Sequence, residues 1–195
     1  MALVPRQGRL LTLGEFVALP EDNSQRYELE EGILVVSPRP VPPHQRVGNR
    51  LTYTLNEQMP PEWEAFTGLE VVVIDREPAT VRVPDVVVIP PGWIRAQVPA
   101  AKVQIAVEVI SPGSRRKDTL VKLMEYAEAG IPRYWVIDLE PPATLTTYIL
   151  VSGHYQKAQT VTGELMTLDP FPLQIDVPML TTPRGAEPMV TRRES

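Results

Sequence analysis

The sequence predicts one domain built on a mixed β-sheet flanked by helices, an α/β (α+β) arrangement. The first observation is a pair of Val-rich apolar runs, residues 81–89 and 103–110, which have the length and composition of buried strands. The second is the helical pattern that follows them and leads to a third apolar run, residues 134–138. Strand, helix and strand at this spacing form a βαβ crossover, so we expect the last two runs to be parallel neighbours.

The N-terminal segment is predicted to form a short helix and a hairpin. Thr12 and Glu15 have the spacing of a capping box, which predicts a helix over residues 12–19. Residues 26–37 have the pattern of a β-hairpin that turns at Glu30-Glu31-Gly32. The residues before this helix, 1–11, are expected to be loose.

A proline-rich linker, residues 37–43, separates the hairpin from a longer helix that runs from His44 to about Met59. Apolar residues recur at helical spacing along one face of this helix, at Val47, Leu51 and Leu55. Residues 64–75 are predicted to form a strand that pairs antiparallel with the first Val-rich run.

The C-terminal part contains one more predicted hairpin, residues 145–151 and 154–161, around Ser152-Gly153. Residues 164–176 are expected to return irregularly to the body of the protein. We therefore assign residues 1–180 to a single domain and residues 181–195 to a disordered polar tail.

Composition restricts the class of protein. The chain has 195 residues, 43% of them apolar and 22% charged, which is typical of a globular domain. Its net charge of −5 gives no support for tight, charge-driven DNA binding. The absence of cysteine excludes disulfides and thiolate zinc sites. We find neither a secretory signal nor an apolar run long enough for a membrane span, and we expect a cytoplasmic protein.

The helix that ends at Gly130 carries charged residues with two interpretations. Its packed stripe is predicted to consist of Leu120, Leu123, Met124 and Ala127. Lys122 falls on the opposite side with Asp118 and Tyr126, so spacing alone predicts a surface lysine bridged to Asp118. Arg115-Arg116-Lys117, at the helix start, is either a solvated loop or a clamp for phosphate.

Two carboxylates interrupt the Val-rich runs, Asp85 in the first and Glu108 in the second. An ionised carboxylate in a buried strand costs roughly several kcal/mol unless it is paired or binds a metal. Two such groups on neighbouring strands form an oxygen-rich pocket for a hard cation. Asp85 and Glu108 are therefore predicted to bind Mg²⁺ (or Mn²⁺).

These residues carry a resemblance to a known family. Pro84-Asp85 followed by Glu108-Val109-Ile110 resembles the PD-(D/E)xK nuclease motif, except that Ile110 stands where the lysine usually lies. The wider sequence resembles the Uma2 family (formerly DUF820) of restriction-endonuclease-like proteins. The matching segments span most of the chain in family order: Arg26-Tyr27-Glu28-Leu29, Gly32, Ser37-Pro38, His44, Pro84-Asp85, Glu108 to Pro112, Lys122, Tyr126, and Gly130 to Asp138.

The resemblance implies a restriction-endonuclease-like fold and assigns roles to four residues. Asp85 and Glu108 would hold the metal, Glu28 would assist them, and Lys122 would replace the missing strand lysine. Without the resemblance, Glu28 is equally consistent with a solvent-facing strand carboxylate. His44 either caps and packs at the start of its helix or contacts a substrate phosphate or a metal-bound water.

Two functions from different classes follow. The first is a Mg²⁺-dependent endonuclease that hydrolyses phosphodiester bonds of DNA. The second is a non-catalytic dimeric or DNA-associated module that keeps the fold, favoured by the acidic net charge and the displaced lysine. A small-molecule hydrolase has little support, because there is no GxSxG motif and no cysteine nucleophile. Because nucleases that cut both strands are commonly dimers, we expect a homodimer.

Overall fold

The computed structural model describes residues 9–20, 24–95, 97–110 and 115–185. The α-helices in these segments are α1 (Leu13–Val17), α2 (Pro42–Gln58), α3 (Lys122–Glu128) and α4 (Val177–Thr181). The strands are β1 (Gln25–Glu30), β2 (Ile33–Pro38), β3 (Glu64–Thr67), β4 (Glu70–Ile74), β5 (Thr80–Arg82), β6 (Val86–Ile89), β7 (Gln97–Pro99), β8 (Ile105–Ile110), β9 (Arg133–Asp138), β10 (Thr144–Val151), β11 (His154–Val161), β12 (Glu164–Thr167) and β13 (Leu173–Asp176). None of the described helices has the length and apolar character needed to span a membrane.

The main sheet is mixed and has the strand order β11-β10-β9-β8-β6-β3. Strands β8 and β9 run parallel, and the other neighbours in this sheet are antiparallel. The predicted βαβ unit is therefore confirmed, with α3 in the crossover. The predicted mixed sheet flanked by helices is confirmed as well.

The first Val-rich run is split between two sheets, so the prediction of one strand over residues 81–89 is wrong. Its first part, β5, lies in a second sheet of order β2-β1-β5-β4-β7, and its last part, β6, lies in the main sheet. The break falls at Pro84-Asp85, where proline offers no N–H for a strand ladder. The region at residues 64–75 is likewise two strands, β3 and β4, which pair antiparallel with β6 and β5 respectively.

Both faces of the main sheet are covered, which explains why β6 and β8 lack polar alternation. Val86 and Val88 of β6 pack in one core with the α2 stripe Val47, Leu51 and Leu55, whose burial confirms the predicted helix face. Val87 and Ile89 pack in a second core with Tyr126 of α3. Val107 and Val109 of β8 belong to the first core. Because side chains alternate along a strand, Glu108 lies on the opposite face of the sheet, the face that α3 covers.

Helix α3 confirms only half of its predicted stripe: Ala127 is buried and Leu123 packs against the second core. Leu120 and Met124, expected in the packed stripe, are 56% and 71% exposed. Asp118, Lys122 and Tyr126 are buried instead, the first of them in the π-helical turn Lys117–Val121 that leads into α3. The predicted bridge between Lys122 and Asp118 is present at 3.5 Å. The polar face turns inward because it meets carboxylates of the sheets.

The N-terminal half largely follows the predictions. The capping box of Thr12 and Glu15 is present at α1. The hairpin β1–β2 turns at Glu31 and Gly32, both with positive φ. Leu11, expected in a loose segment, is buried, and its N–H donates to the carbonyl of Gly32. Helix α2 begins at Pro42, not at His44, because proline fits the first helical turn.

The C-terminal part contains a third, two-stranded sheet. Strands β12 and β13 pair antiparallel, where an irregular return was expected. The predicted hairpin of β10 and β11 is confirmed. Helix α4 ends at Thr181, and most of the predicted tail, residues 186–195, lies outside the described residues together with residues 1–8.

Candidate functional site

Asp85 lies between β5 of the second sheet and β6 of the main sheet, and it forms hydrogen bonds to residues of both sheets. The N–H of Val109 in β8 donates to Asp85 Oδ2 at 2.7 Å. The Asp85 N–H in turn donates to the carbonyl of Val107 at 3.0 Å. Arg26 of β1 donates to Oδ1 at 3.0 Å. Asp85 therefore links the end of β5 to β8, and these hydrogen bonds fix the position of its carboxylate.

Glu108 is almost fully buried in β8, with 2% of its surface exposed. Its Oε1 accepts a hydrogen bond from the Tyr126 hydroxyl at 2.8 Å and lies 2.8 Å from Lys122 Nζ. Both partners come from α3, the helix that follows β8 in the chain. The crossover helix therefore fixes the carboxylate of the strand before it.

Glu28 reaches the same place from β1 in the second sheet. Its Oε1 accepts a hydrogen bond from the Val83 N–H at 3.1 Å and lies 3.5 Å from Lys122 Nζ. Glu28 is buried, so the interpretation as a solvent-facing carboxylate is wrong. The structure brings together all four residues predicted for the site: Glu28, Asp85, Glu108 and Lys122.

Arg26 joins these carboxylates and was not predicted as a site residue. Its guanidinium nitrogens lie 3.0 Å from Asp85 Oδ1, 3.6 Å from Glu28 Oε1 and 4.0 Å from Glu108 Oε2. Arg26 and Glu28 are two residues apart in β1, a spacing that places side chains on one strand face. That spacing was the signal available in the sequence.

Arg82 is a second missed residue, and it is fully buried. Its Nη2 and Nε donate to the two carboxylate oxygens of Glu125 at 2.6 and 2.8 Å. Its Nη1 donates to Glu30 at 3.0 Å and to Glu28 at 3.4 Å. A lone arginine within an apolar strand indicates a buried ion pair by the same reasoning that identified Asp85. Arg82 thus connects β5, the Glu28 carboxylate and helix α3.

His44 contacts the site from the first turn of α2. Its Nε2 lies 2.5 Å from the carbonyl oxygen of Val109 and 3.4 Å from Asp85 Oδ2. Because a carbonyl only accepts, the proton of this hydrogen bond is on Nε2. His44 is buried beside Asp85, so it both packs at the helix start and contacts the predicted site.

The pKa values of the two buried glutamates are shifted in opposite directions. Burial would raise the pKa of Glu28, but Lys122, Arg26 and Arg82 outweigh it and lower this pKa to about 2. Burial, reinforced by Asp85 and Asp118 and opposed by Lys122 and Arg26, raises the pKa of Glu108 to about 8. Burial of Lys122 is outweighed by Glu108 and Glu28, which raise its pKa. Lys122 therefore stays charged at neutral pH, and Glu108 is the group that readily takes a proton.

The donor set can be compared with the needs of a divalent cation. Asp85 and Glu108 offer hard carboxylate oxygens, which are the ligands that Mg²⁺ prefers. Burial raises the pKa of Glu108 even though the cations Lys122 and Arg26 lie beside it and oppose the shift. Within the described segments, no group of three or more His, Asp or Glu is already arranged to hold a metal ion. Asp85 and Glu108 thus have the donor chemistry for Mg²⁺ but, among the described residues, no third acidic or histidine ligand arranged beside them, and Arg26 is the cation that bridges them in this structure.

Two residues of the basic cluster at the start of the crossover helix, Arg115 and Lys117, form ion pairs with acidic side chains. Arg115 donates to Asp138 at 2.5 Å and to Glu140 at 2.8 Å. Lys117 Nζ lies 2.7 Å from Glu30 Oε2. Arg115 and Lys117 are thus ion-paired within the chain while Arg115 and Arg116 remain exposed, and the two interpretations of the cluster, solvated loop and phosphate clamp, both stay predictions.

A cleft of about 810 Å³ opens beside Asp85. The start of α2 forms one of its walls, through His44, Gln45 and Asn49. Arg26 and Asp85 also line it, whereas Glu28, Glu108 and Lys122 are buried behind them, so the cleft meets the carboxylate cluster at Asp85. Any substrate that enters here meets Asp85 directly.

The fold is that of a nuclease-like protein. The chain belongs to the Uma2 family, whose description is "Putative restriction endonuclease" and whose profile matches residues 13–180. A similar solved structure is that of a "putative nuclease belonging to DUF820" from Anabaena variabilis ATCC 29413. The match has a TM-score of 0.69 and 22% identity and covers 88% of this chain and 97% of that one, which establishes the shared fold. No curated protein matches the chain.

Proposed function

We propose that this protein is a metal-dependent nuclease that hydrolyses phosphodiester bonds of DNA. The observation that carries the proposal is the convergence of Asp85, Glu108 and Lys122 in one buried cluster, in which Asp85 also lines an open cleft. Asp85 is anchored to β8, Glu108 belongs to β8, and Lys122 reaches Glu108 from α3 at 2.8 Å. Membership of a family described as restriction endonucleases supports the same activity.

In this proposal Asp85 and Glu108 hold Mg²⁺ (or Mn²⁺). The bound ion supplies a Lewis acid that polarises a phosphate and lowers the pKa of water. Glu108 would release its proton when it binds a cation, because its pKa of about 8 lies above that of an ordinary carboxyl. The Val109 N–H keeps Asp85 oriented for the same task.

Lys122 and Glu28 act together in the proposed reaction. Lys122 stays charged and stabilises the negative charge that develops on the scissile phosphate. Glu28 lies 3.5 Å from Lys122 Nζ and remains ionised because its pKa is about 2. It therefore assists as an anion that positions Lys122, and Arg82 and the Val83 N–H fix Glu28 in turn.

Cleavage of DNA by matched variants tests the proposal. Supercoiled plasmid and a single-stranded oligonucleotide are incubated with the protein in Mg²⁺ and in EDTA. We expect cleavage in Mg²⁺ alone and a loss of at least about 100-fold in Asp85→Asn and Glu108→Gln. Glu128→Gln, an exposed glutamate paired with Arg76, is the control and should cleave normally. Full Mg²⁺-dependent cleavage by either site variant would refute the mechanism.

One observation favours the alternative of a non-catalytic, DNA-associated module that keeps the fold. Arg26 and Lys122 already compensate Asp85, Glu108 and Glu28 without any metal. Such a cluster can serve as a buried ion-pair network alone. Calorimetric titration with Mg²⁺ and Mn²⁺ separates the two functions, because the module should bind neither ion. The expected homodimer stays a prediction, and light scattering of the purified chain tests it.

A further inference from the structure

The cleft beside Asp85 has the dimensions of a small-molecule pocket. Ligand pockets that enclose a drug-sized molecule measure about 300–1,000 Å³, and this one measures about 810 Å³. A cube of that volume is roughly 9 Å on edge, less than the ~12 Å width of one major groove of B-DNA. The cleft can therefore enclose one or two nucleotides but not a base-paired helix.

The charge of the cleft also argues against duplex binding. Among the described residues that line it, the cations are Arg26 and Arg39 and the anions are Glu70 and Asp85. Arg26 is engaged by three carboxylates. Duplex binding depends on many Lys and Arg contacts to phosphates, and these walls have no excess of positive charge.

The remaining polar groups match nucleobases better than phosphates. Gln25, Gln45 and Asn49 line the cleft and are exposed. Side-chain amides both donate and accept, as the edges of bases do, and unpaired bases offer their Watson–Crick edges as well. The partly buried ring of Tyr27 also lines the cleft, and aromatic rings are the surfaces on which unpaired bases stack; Phe16 lines it as well but is buried in the core.

We propose that this cleft binds unpaired nucleotides next to the scissile phosphate, so that the substrate is single-stranded or locally opened nucleic acid. This inference rests on the proposed nuclease function and names its substrate class. Gln45 and Asn49 contact the bases, and the scissile phosphate lies at Asp85, which lines the same cleft. The acidic net charge of −5 fits recognition through bases.

Fluorescence anisotropy in EDTA measures this binding without cleavage. The probes are a labelled DNA strand of about 12 nucleotides, the RNA strand of the same sequence, and the DNA duplex. We expect at least one single strand to bind about tenfold or more tightly than the duplex, the scale of one stacked base. Equal or tighter binding of the duplex overturns the proposal.

Variants of α2 locate the binding. Gln45→Leu/Asn49→Leu should weaken single-strand binding about tenfold, and Asn49→Trp should block the cleft to a similar extent. Gln156→Leu on β11 is the matched control, because Gln156 is an exposed glutamine that does not line the cleft. Unchanged single-strand binding by both α2 variants overturns the proposal. Circular dichroism verifies that each variant is folded.

A cleavage assay in Mg²⁺ separates this inference from the proposed function. If single strands bind preferentially and no polynucleotide is cut, the proposed nuclease function is refuted and the proposed binding of unpaired nucleotides in the cleft is retained. If the protein cuts DNA but cuts duplex faster than single strands, the cleft assignment fails alone.

Discussion

Lys122 and Glu108 lie 2.8 Å apart, Nζ to Oε1, with both side chains buried. They belong to a helix and a strand that are consecutive in the chain. Tyr126, one turn further along α3, donates to the same glutamate oxygen. A lysine of the crossover helix therefore lies beside this strand, which has Ile110 where the nuclease motif has its lysine.

Lys122→Met should abolish most activity and also destabilise the fold. Removing Lys122 should cost about 3–5 kcal/mol, because the ionised carboxylate of Glu28 would lose one of its buried cations. Loss of a group that stabilises developing charge costs about 10²–10³ in rate. Urea unfolding and Mg²⁺-dependent DNA cleavage measure the two effects. The double variant Glu28→Gln/Lys122→Met should recover part of the lost stability, because it removes the uncompensated Glu28 carboxylate. Full Mg²⁺-dependent cleavage by Lys122→Met would contradict the role of Lys122.

The pH dependence of stability should reveal Glu108 when no metal is present. The pKa of Glu108 is about 8 in the folded state against an ordinary value of 4.5, so the folded state binds the extra proton between these pH values. Stability should therefore fall as pH rises from about 4.5 to 8, by at most about 1.4 kcal/mol per pH unit. Urea unfolding in EDTA across this range measures the slope, which Glu108→Gln should remove. A slope that persists in that variant would assign the effect to another group.

The same titration distinguishes Glu28 at acid pH. Its folded pKa of about 2 lies below the ordinary 4.5, so its contribution is complete above pH 4.5 and is lost as pH falls toward 2. In Glu28→Gln the free energy of unfolding should change less with pH in this acid range. Above pH 4.5 its pH dependence should match that of the wild type. An unchanged acid transition in Glu28→Gln would show that Glu28 is not held by its cations.

Arg82→Met should destabilise the protein by about 3–5 kcal/mol, because Glu28 and Glu125 would lose a fully buried partner. Arg82→Lys should recover only part of this loss, since lysine cannot bind Glu125 through two nitrogens. Arg76→Met is the control; it breaks an exposed pair with Glu128 and should cost less than about 1 kcal/mol. Chemical unfolding of the three variants checks the order, and similar losses for Arg76 and Arg82 would contradict it.

Local sequence signals were sufficient for much of the fold. The βαβ unit, the two hairpins and the stripe of α2 follow from periodicity, glycine turns and strand length. The apolar run at residues 81–89 carried no sign of its division between two sheets other than Pro84. Half of the predicted α3 stripe was misassigned because an amphipathic pattern favours Leu120 and Met124 as core, whereas long-range carboxylates draw Lys122 inward.

The candidate site was predicted in part. Asp85 and Glu108 stood out because a charge within a buried strand needs a partner, and Lys122 and Glu28 came from the family resemblance alone. Arg26 and Arg82 were missed although the same need for a partner applies to Arg82. Which carboxylate each arginine meets depends on how two sheets pack at Asp85, and the sequence contains no local record of that packing.

The proposed mechanism requires that Asp85 and Glu108 bind one shared divalent ion. Anomalous diffraction from a crystal soaked in Mn²⁺ tests this directly, with a crystal of the Glu108→Gln variant as the control. The account predicts an anomalous peak within coordination distance of both carboxylates, about 2.0–2.6 Å, in the wild-type crystal only. A soaked wild-type crystal without a peak between these two residues, or with its peak elsewhere, would contradict it.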